Sequence, residues 1–261
     1  MTGAQAVVAL VLIEWTAGWM AACAWSQSWD QIRRGHFRIT AWITLFLSAV
    51  AFFTGRAALG AGDSSTKTLL LVLLVLSAAY LVVQYSNTDL PGTVVGAAAG
   101  VMGAVALASL GTLIDGWPGW LAALELLGGM VLLGGVMNGM MLGHWYLNQP
   151  GLKTDALARL TNLALVGAVG TAVLGLVAAP RLAGAETEGA VLGLPGFGQS
   201  FGLAFYVAWL VLIVFTAVVI WAARRCVKIR SIQSATGLFY VAVLSAGVSE
   251  FLVRYLMVNT A

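Results

Sequence analysis

Eight long apolar runs, separated by short polar breaks, constrain this chain more than any other feature. A helix needs roughly 20 apolar residues to cross a bilayer, and only helices and closed barrels satisfy their backbone hydrogen bonds in lipid. The runs are continuous and not alternating, which predicts helices and not barrel strands. We therefore expect an all-α, polytopic membrane protein with about eight spans. The runs cover about residues 5–26, 39–55, 68–86, 93–113, 119–147, 159–180, 200–223 and 232–257.

Composition agrees with this fold class, because 61% of the 261 residues are apolar and only 9% are charged. The charged share of a soluble domain is nearer to about 25%. We expect a single transmembrane domain over residues 1–261 and no soluble domain, so the chain acts within the membrane or through partners that dock on it. The net charge of +3 lies mainly in loops, and we infer no nucleic-acid binding.

The distribution of basic residues predicts the orientation. Loops after the first, third, fifth and seventh helices carry nine of them, against four on the other side. Basic loops stay in the cytoplasm, so both termini and the long loop at about 181–199 are expected outside. The membrane is expected to be that of a bacterial or archaeal cell. The nine are Arg33, Arg34, Arg38, Lys153, Arg159, Arg224, Arg225, Lys228 and Arg230, and the four are Arg56, Lys67, Arg181 and Arg254.

Three glutamates lie inside the predicted spans, where a carboxylate is costly unless it is paired, hydrated or protonated. Glu14, Glu125 and Glu250 fall roughly 12, 9 and 10 Å below the outer surface at ~1.5 Å per residue, so they could converge. Glu250 and Arg254 have the i, i+4 spacing of a helical ion pair. Glu14 and Glu125 have no such partner, so each needs a cross-helix partner, water or a proton. Three roles are open for Glu14 and Glu125: a structural role, proton transfer, or a hydrogen bond to a polar ligand.

A weak internal repeat pairs the first helix with the fifth. Each carries a glutamate followed by small residues, and each is followed by a histidine near the inner boundary. A repeat with four helices in each unit is parallel, and it predicts two four-helix bundles from residues 1–115 and 116–261. The matching residues are Glu14, Ala17, Gly18 and His36 in one half, and Glu125, Gly128, Gly129 and His144 in the other.

The most distinctive run on the inner side is GHWYLNQP, residues 143–150. One interpretation is an aromatic anchor at the interface with a hydrogen-bonded histidine. The other is an inner polar or haem site made by His144 with Asn138 and Tyr146, in which His36, expected in a loop, is the only candidate for a second haem ligand.

Glycines spaced four residues apart predict close helix packing, as at Gly135, Gly139 and Gly143. There is no phosphate-binding loop, zinc-protease signature, hydrolase elbow or acidic metal constellation in the sequence. We therefore expect no metal site and no catalysis by the chain alone.

Short motifs in three helices resemble those of a known family, the membrane anchor subunits of molybdenum or iron–sulfur respiratory oxidoreductases of the DMSO-reductase-anchor and NrfD (polysulfide-reductase) type. The ending of the last helix is similar to that family's Gly-Glu-x-x-x-Arg pattern. The eight-helix layout with external termini fits as well. The motifs are Glu14 with Ala17 and Gly18, Thr54-Gly55-Arg56-Ala57, and Ser249-Glu250 with Arg254-Tyr255.

The resemblance implies a non-catalytic subunit of a membrane oxidoreductase that anchors an iron–sulfur or other redox protein on the outer face and interacts with quinone. The quinone or proton site would then comprise Glu14, Glu125, Glu250, Arg254 and Arg56. Quinol oxidation releases protons, so such a site needs groups that accept them. The alternatives are a proton-coupled small-solute transporter, a haem-binding electron-transfer subunit, and a purely structural subunit of a hetero-oligomeric complex.

Overall fold

The computed structural model describes residues 3–86, 88–184 and 201–259, and over these residues the chain is helical with short connections. Among these residues eight helices are long and apolar enough to cross a membrane, which confirms the predicted fold class. The helices are α1 (Ala4–Gln27), α2 (Arg34–Leu59), α3 (Ser64–Val83), α4 (Leu90–Gly111), α5 (Gly119–Trp145), α6 (Asp155–Val177), α7 (Ala179–Leu182), α8 (Phe201–Lys228) and α9 (Ile232–Asn259).

Helices α1 to α4 pack in a ring in which each contacts its two neighbours, and α5, α6, α8 and α9 do the same. The two predicted four-helix bundles are therefore present, and helices at equivalent places have the same partners in both. The bundles meet where α1 contacts α5 and α9, and where α4 contacts α5. Since α1 and α5 are also the two most buried spans, the core lies along this seam. The duplication itself stays a prediction.

Helix α2 begins about five residues earlier than its apolar run, so the expectation that His36 lies in a loop is wrong. His36 is in the first turn of α2 and is buried. An apolar run measures the part of a helix inside lipid, whereas the helix itself continues into the polar interface. There Arg34 Nε lies 2.8 Å from Asp89 Oδ1, and Gly35 packs closely on the Trp145 ring.

At the seam, the backbones of α1 and α5 touch. A methyl group on Gly18 would lie 1.9 Å from the carbonyl oxygen of Met130, and one on Gly134 would lie 2.2 Å from the backbone of Gly18. Only glycine permits this approach. The predicted packing glycines of α5 are confirmed: an added methyl would lie 2.8 Å from Ala164 at Gly135, 2.4 Å from Phe239 at Gly139, and 2.3 Å from Thr236 at Gly143.

We expect Gly18→Ala to destabilise the protein, because the new methyl has no space beside the α5 backbone and overpacking costs typically about 1–3 kcal/mol. Thermal unfolding in detergent measures the effect. Gly170→Ala on α6 is the matched control, since a methyl there meets no atom within 4 Å among the described residues. A Gly18→Ala protein that unfolds at the wild-type temperature would contradict the contact.

Candidate functional site

The guanidinium of Arg254 on α9 lies at the centre of a fully buried cluster. Its Nε donates to Glu14 Oε1 and its Nη2 to Glu250 Oε2, both at 2.7 Å. Nη2 also donates to the backbone carbonyl of Glu125 at 2.8 Å, and Nη1 lies 2.9 Å from the sulfur of Met257. The three glutamates and Arg254 have no exposed surface. The predicted convergence of the glutamates is thus present, with one arginine as their common partner.

Glu125 differs from the other two acids because its carboxyl group makes no close bond to Arg254. Its nearer oxygen, Oε2, lies 3.9 Å from Nη1, which is too long for a hydrogen bond. Among the described residues neither oxygen of this carboxyl group has a hydrogen-bond partner, and the same holds for Glu14 Oε2 and Glu250 Oε1. Buried oxygens of this kind need protons or ordered water.

The charges of this cluster do not balance when all four groups are ionised. One guanidinium neutralises one carboxylate, so the electroneutral state holds two protons on three carboxyl groups. Uncompensated charge in a protein interior costs several kcal/mol, which favours that state. The cluster is therefore a place inside the membrane where protons can be held.

The cluster joins the two bundles. Glu14 comes from α1 of the first bundle, whereas Glu125, Glu250 and Arg254 come from α5 and α9 of the second. Gly129 provides the room: a methyl group there would lie 2.6 Å from Arg254 Nη2 and 2.8 Å from Glu14 Oε1. One small residue on α5 thus allows the three side chains to meet.

Of the five residues predicted for the outer site, four lie together and Arg56 lies apart, exposed near the end of α2. The sequence reasoning did not include Gly129 and Met257 in this site. Gly129 follows Glu125 by four residues and Met257 follows Arg254 by three. At these spacings two residues share one face of a helix, so the sequence could have indicated that both lie beside the cluster.

Nearer the other end of the membrane domain, Asn138 of α5 connects three helices. Its amide nitrogen donates to the carbonyl of Ala22 and lies 3.1 Å from Ser26 Oγ, both on α1. Its Oδ1 accepts from Cys23 and lies 3.3 Å from His36 Nε2. Because Oδ1 can only accept, His36 carries its proton on Nε2 in this bond.

His144 and His36 do not contact the same groups. The hydroxyl of Tyr240 lies 2.8 Å from His144 Nε2. The two imidazoles line a common cavity of about 220 Å³ with Tyr240 and Asn148. Cavities for drug-sized ligands run to about 300–1,000 Å³, and a haem needs at least such a space. The arrangement therefore does not fit a haem held between these histidines.

The remaining residues of the GHWYLNQP run tie the end of α5 to neighbouring loops. Tyr146 donates its hydroxyl to the carbonyl of Lys153 at 2.6 Å, and burial raises its pKa to about 12. Gln149 accepts from Trp145 Nε1 and from the backbone N–H of Arg33. The anchored aromatic residues and the hydrogen-bonded histidine are those of the first interpretation, while Tyr146 lies apart from the Asn138 network.

Compared with protein-family models, curated proteins and solved structures, the chain matches none. The resemblance to the NrfD type therefore rests on the residues quoted for it.

We expect Arg254→Met to destabilise the protein by about 3–5 kcal/mol, because the acids lose their buried partner. In this variant the buried carboxyl groups must hold protons, whereas they ionise in the unfolded chain above about pH 5. The folded state then binds more protons, so its stability falls as the pH rises. Unfolding in detergent at pH 5.5 and 8 measures both effects.

The control for this variant is Arg56→Met, which removes an exposed arginine and should change stability by less than about 0.5 kcal/mol. Adding Glu14→Gln and Glu250→Gln to Arg254→Met should restore part of the stability and flatten the pH dependence. An Arg254→Met protein as stable as Arg56→Met would contradict the cluster.

Proposed function

We propose that this chain is the membrane subunit of a respiratory redox complex, in which it anchors an electron-transfer partner and takes part in the proton exchange that accompanies quinone–quinol chemistry. The observation that carries this proposal is the cluster of three carboxyl groups around one buried arginine. Ionisable groups this deep in a membrane protein usually serve a proton, ion or substrate path. Quinol oxidation needs groups that accept protons.

Glu125 is the acid best suited to exchange a proton. Glu14 and Glu250 each accept a 2.7 Å bond from Arg254, and charge-assisted bonds of this length are strong. The electroneutral state leaves one of these two acids ionised when Glu125 is protonated, and protonating that one as well would remove its charge-assisted bond. Glu125 holds its place on α5 without such a bond, so it can gain or lose a proton while Arg254 stays where it is.

The proposed partner is an iron–sulfur or other redox subunit docked on the outer face of a hetero-oligomeric complex, in a bacterial or archaeal cell membrane. Two observations support the outer face as the docking side. One is the NrfD-type resemblance, and the other is the excess of basic residues in the loops at the opposite end, which predicts that those loops face the cytoplasm. Arg56 is exposed near the end of α2 and is available to a docked protein. Most of the long outer loop, residues 185–200, lies outside the described residues.

A proton-coupled transporter is the second candidate, and one observation favours it. The cluster lies between two bundles with the same helix pairing, and transporters built from repeats bind their coupling ions at such interfaces. Alternating access would, however, require the bundles to move against each other across the backbone contact of Gly18 and Gly134. The redox proposal needs no such motion.

Glu125→Gln keeps the shape of the side chain and removes its acid group. In the complex purified from its host, we expect this variant to assemble normally and to oxidise quinol at least about tenfold more slowly, since general acid–base groups contribute ~10²–10⁴-fold. Turnover with an artificial electron acceptor measures this rate. Asp30→Asn is the matched control, because it makes the same chemical change at an exposed residue of the α1–α2 loop.

Metal and quinone analysis of the purified protein tests the rest of the proposal. A protein that purifies without a redox partner and supports no quinol oxidation would contradict it. Loss of solute uptake in Glu125→Gln would favour the transporter. Normal turnover with all three glutamates replaced by glutamine would contradict the proton-exchange role and show that the cluster is only structural.

A further inference from the structure

The small cavity between His36 and His144, the histidine cavity, brings together side chains that can bind a soft metal ion. Its volume is about 220 Å³, and Met140 and Met141 line it together with the two imidazoles and Tyr240. His36 belongs to α2 and Tyr240 to α9, whereas both methionines and His144 belong to the last turns of α5. Two imidazoles and two thioethers, carried by two helices, therefore border one space.

The spacing of the α5 residues suits a common ligand. Met140 precedes His144 by four residues and Met141 precedes it by three, so both methionines are its neighbours on the helix surface. A methionine side chain is unbranched and has three rotatable bonds, which lets its sulfur move towards a bound ion. On the α2 side, the ring of Trp145 lies 6.0 Å from that of His36 and borders the same cavity.

His36 is held in the way that metal-binding histidines usually are. Such a histidine donates the N–H of one ring nitrogen to a nearby oxygen, which fixes the tautomer and leaves the lone pair on the other nitrogen. His36 Nε2 lies 3.3 Å from Asn138 Oδ1, an oxygen that can only accept. The lone pair of His36 is therefore on Nδ1, which has no hydrogen-bond partner among the described residues.

His144 has an equivalent partner in Tyr240. The hydroxyl oxygen of Tyr240 lies 2.8 Å from His144 Nε2. When Nε2 donates its hydrogen to this oxygen, Nδ1 of the neutral imidazole carries the lone pair. Each histidine that lines the cavity thus has an oxygen at one nitrogen, supplied by a different helix, and can offer the other nitrogen to an ion.

The donor set of the histidine cavity selects the metal. Its described lining contains no Asp, Glu or Cys side chain, and nowhere among the described residues do three His, Cys, Asp or Glu side chains come together to hold a metal. The carboxylate and thiolate ligands common in zinc and iron sites are therefore missing. Thioether sulfur selects copper(I), and imidazole also suits copper. A monovalent ion further brings the smallest charge into a cavity without an anion to balance it.

We propose that the histidine cavity binds one copper(I) ion through Nδ1 of His36, Nδ1 of His144 and the sulfurs of Met140 and Met141. The cavity lies near the end of the membrane domain that is predicted to face the cytoplasm, a reducing compartment that suits the monovalent ion. The inference goes beyond the proposed function and does not depend on it, since none of its ligands belongs to the buried cluster of glutamates.

The experiment titrates the full chain in phosphatidylcholine nanodiscs with copper(I), without oxygen and in competition with the coloured copper(I) chelator bicinchoninate. We expect the wild type to bind one equivalent. Replacing both Met140 and Met141 with leucine keeps the volume of the side chains and removes both sulfurs. This double variant should bind copper(I) at least about tenfold more weakly, since even the loss of a ligand's hydrogen-bond partner costs ~10–100-fold in metal affinity.

Met137→Leu is the matched control, because it makes the same change on α5 at a residue that is not among the described lining. It should bind like the wild type. Tyr240→Phe removes the hydrogen-bond partner of His144 and should weaken binding about tenfold while the ligands stay in place. X-ray absorption of the copper-loaded wild type should show both nitrogen and sulfur neighbours, and unchanged thermal unfolding of the metal-free variants establishes that they are folded.

Three results would overturn the copper site. The first is a wild-type protein that takes no copper(I) from the chelator. The second is binding that survives the double leucine variant but is lost in Cys23→Ser or Cys226→Ser, because the ion would then be held by one of the two free thiols. The third is zinc binding as tight as copper(I) binding and equally tight in the double leucine variant, which would show that the methionine sulfurs are not ligands.

Discussion

The hydrogen bonds of Arg254 are the interaction on which the rest of the arrangement depends, because the bond to Glu14 crosses the boundary between the two bundles. The guanidinium fixes a side chain of α1, the backbone of α5 and a neighbouring residue of its own helix. A buried ion pair adds little net stability compared with apolar residues of the same size, but losing one partner is severe. Its main effect here is on register, since only one alignment of α1, α5 and α9 lets Glu14, Glu125 and Glu250 reach the same cation.

The excess of acids over bases distinguishes this cluster from an ordinary salt bridge. A single Glu14–Arg254 pair would carry no net charge and would need no proton. Such a pair could serve only to hold the two bundles together. Two further carboxyl groups bring a requirement for protons, and the carboxyl group of Glu125 lies 3.9 Å from the guanidinium without a hydrogen bond to it. In the proposed function Glu125 is the member that exchanges a proton, because Glu14 and Glu250 each accept a hydrogen bond from Arg254.

Much of this architecture could be predicted from the sequence because lipid imposes simple rules. Apolar runs gave the spans, residue counting gave the common depth of the glutamates, and i, i+4 spacing gave the Glu250–Arg254 pair. Tertiary details could not be obtained this way. Arg254 reaches Glu14 only because Gly129 is small, and Tyr240 meets His144 from a helix 96 residues away. His36 was misplaced because hydropathy detects where lipid ends and not where the helix ends.

The order of synthesis gives the cluster a consequence for assembly. Glu14 leaves the ribosome 240 residues before Arg254, which at about 5–20 residues per second is a delay of about 10–50 s. During that interval α1 carries its acid without the cation that will pair with it, and a charged carboxylate in lipid is costly. Glu14 must then enter as the neutral acid, or α1 must stay near the insertion machinery until α9 arrives. A chain truncated before its last helix would keep this acid without the cation that pairs with it.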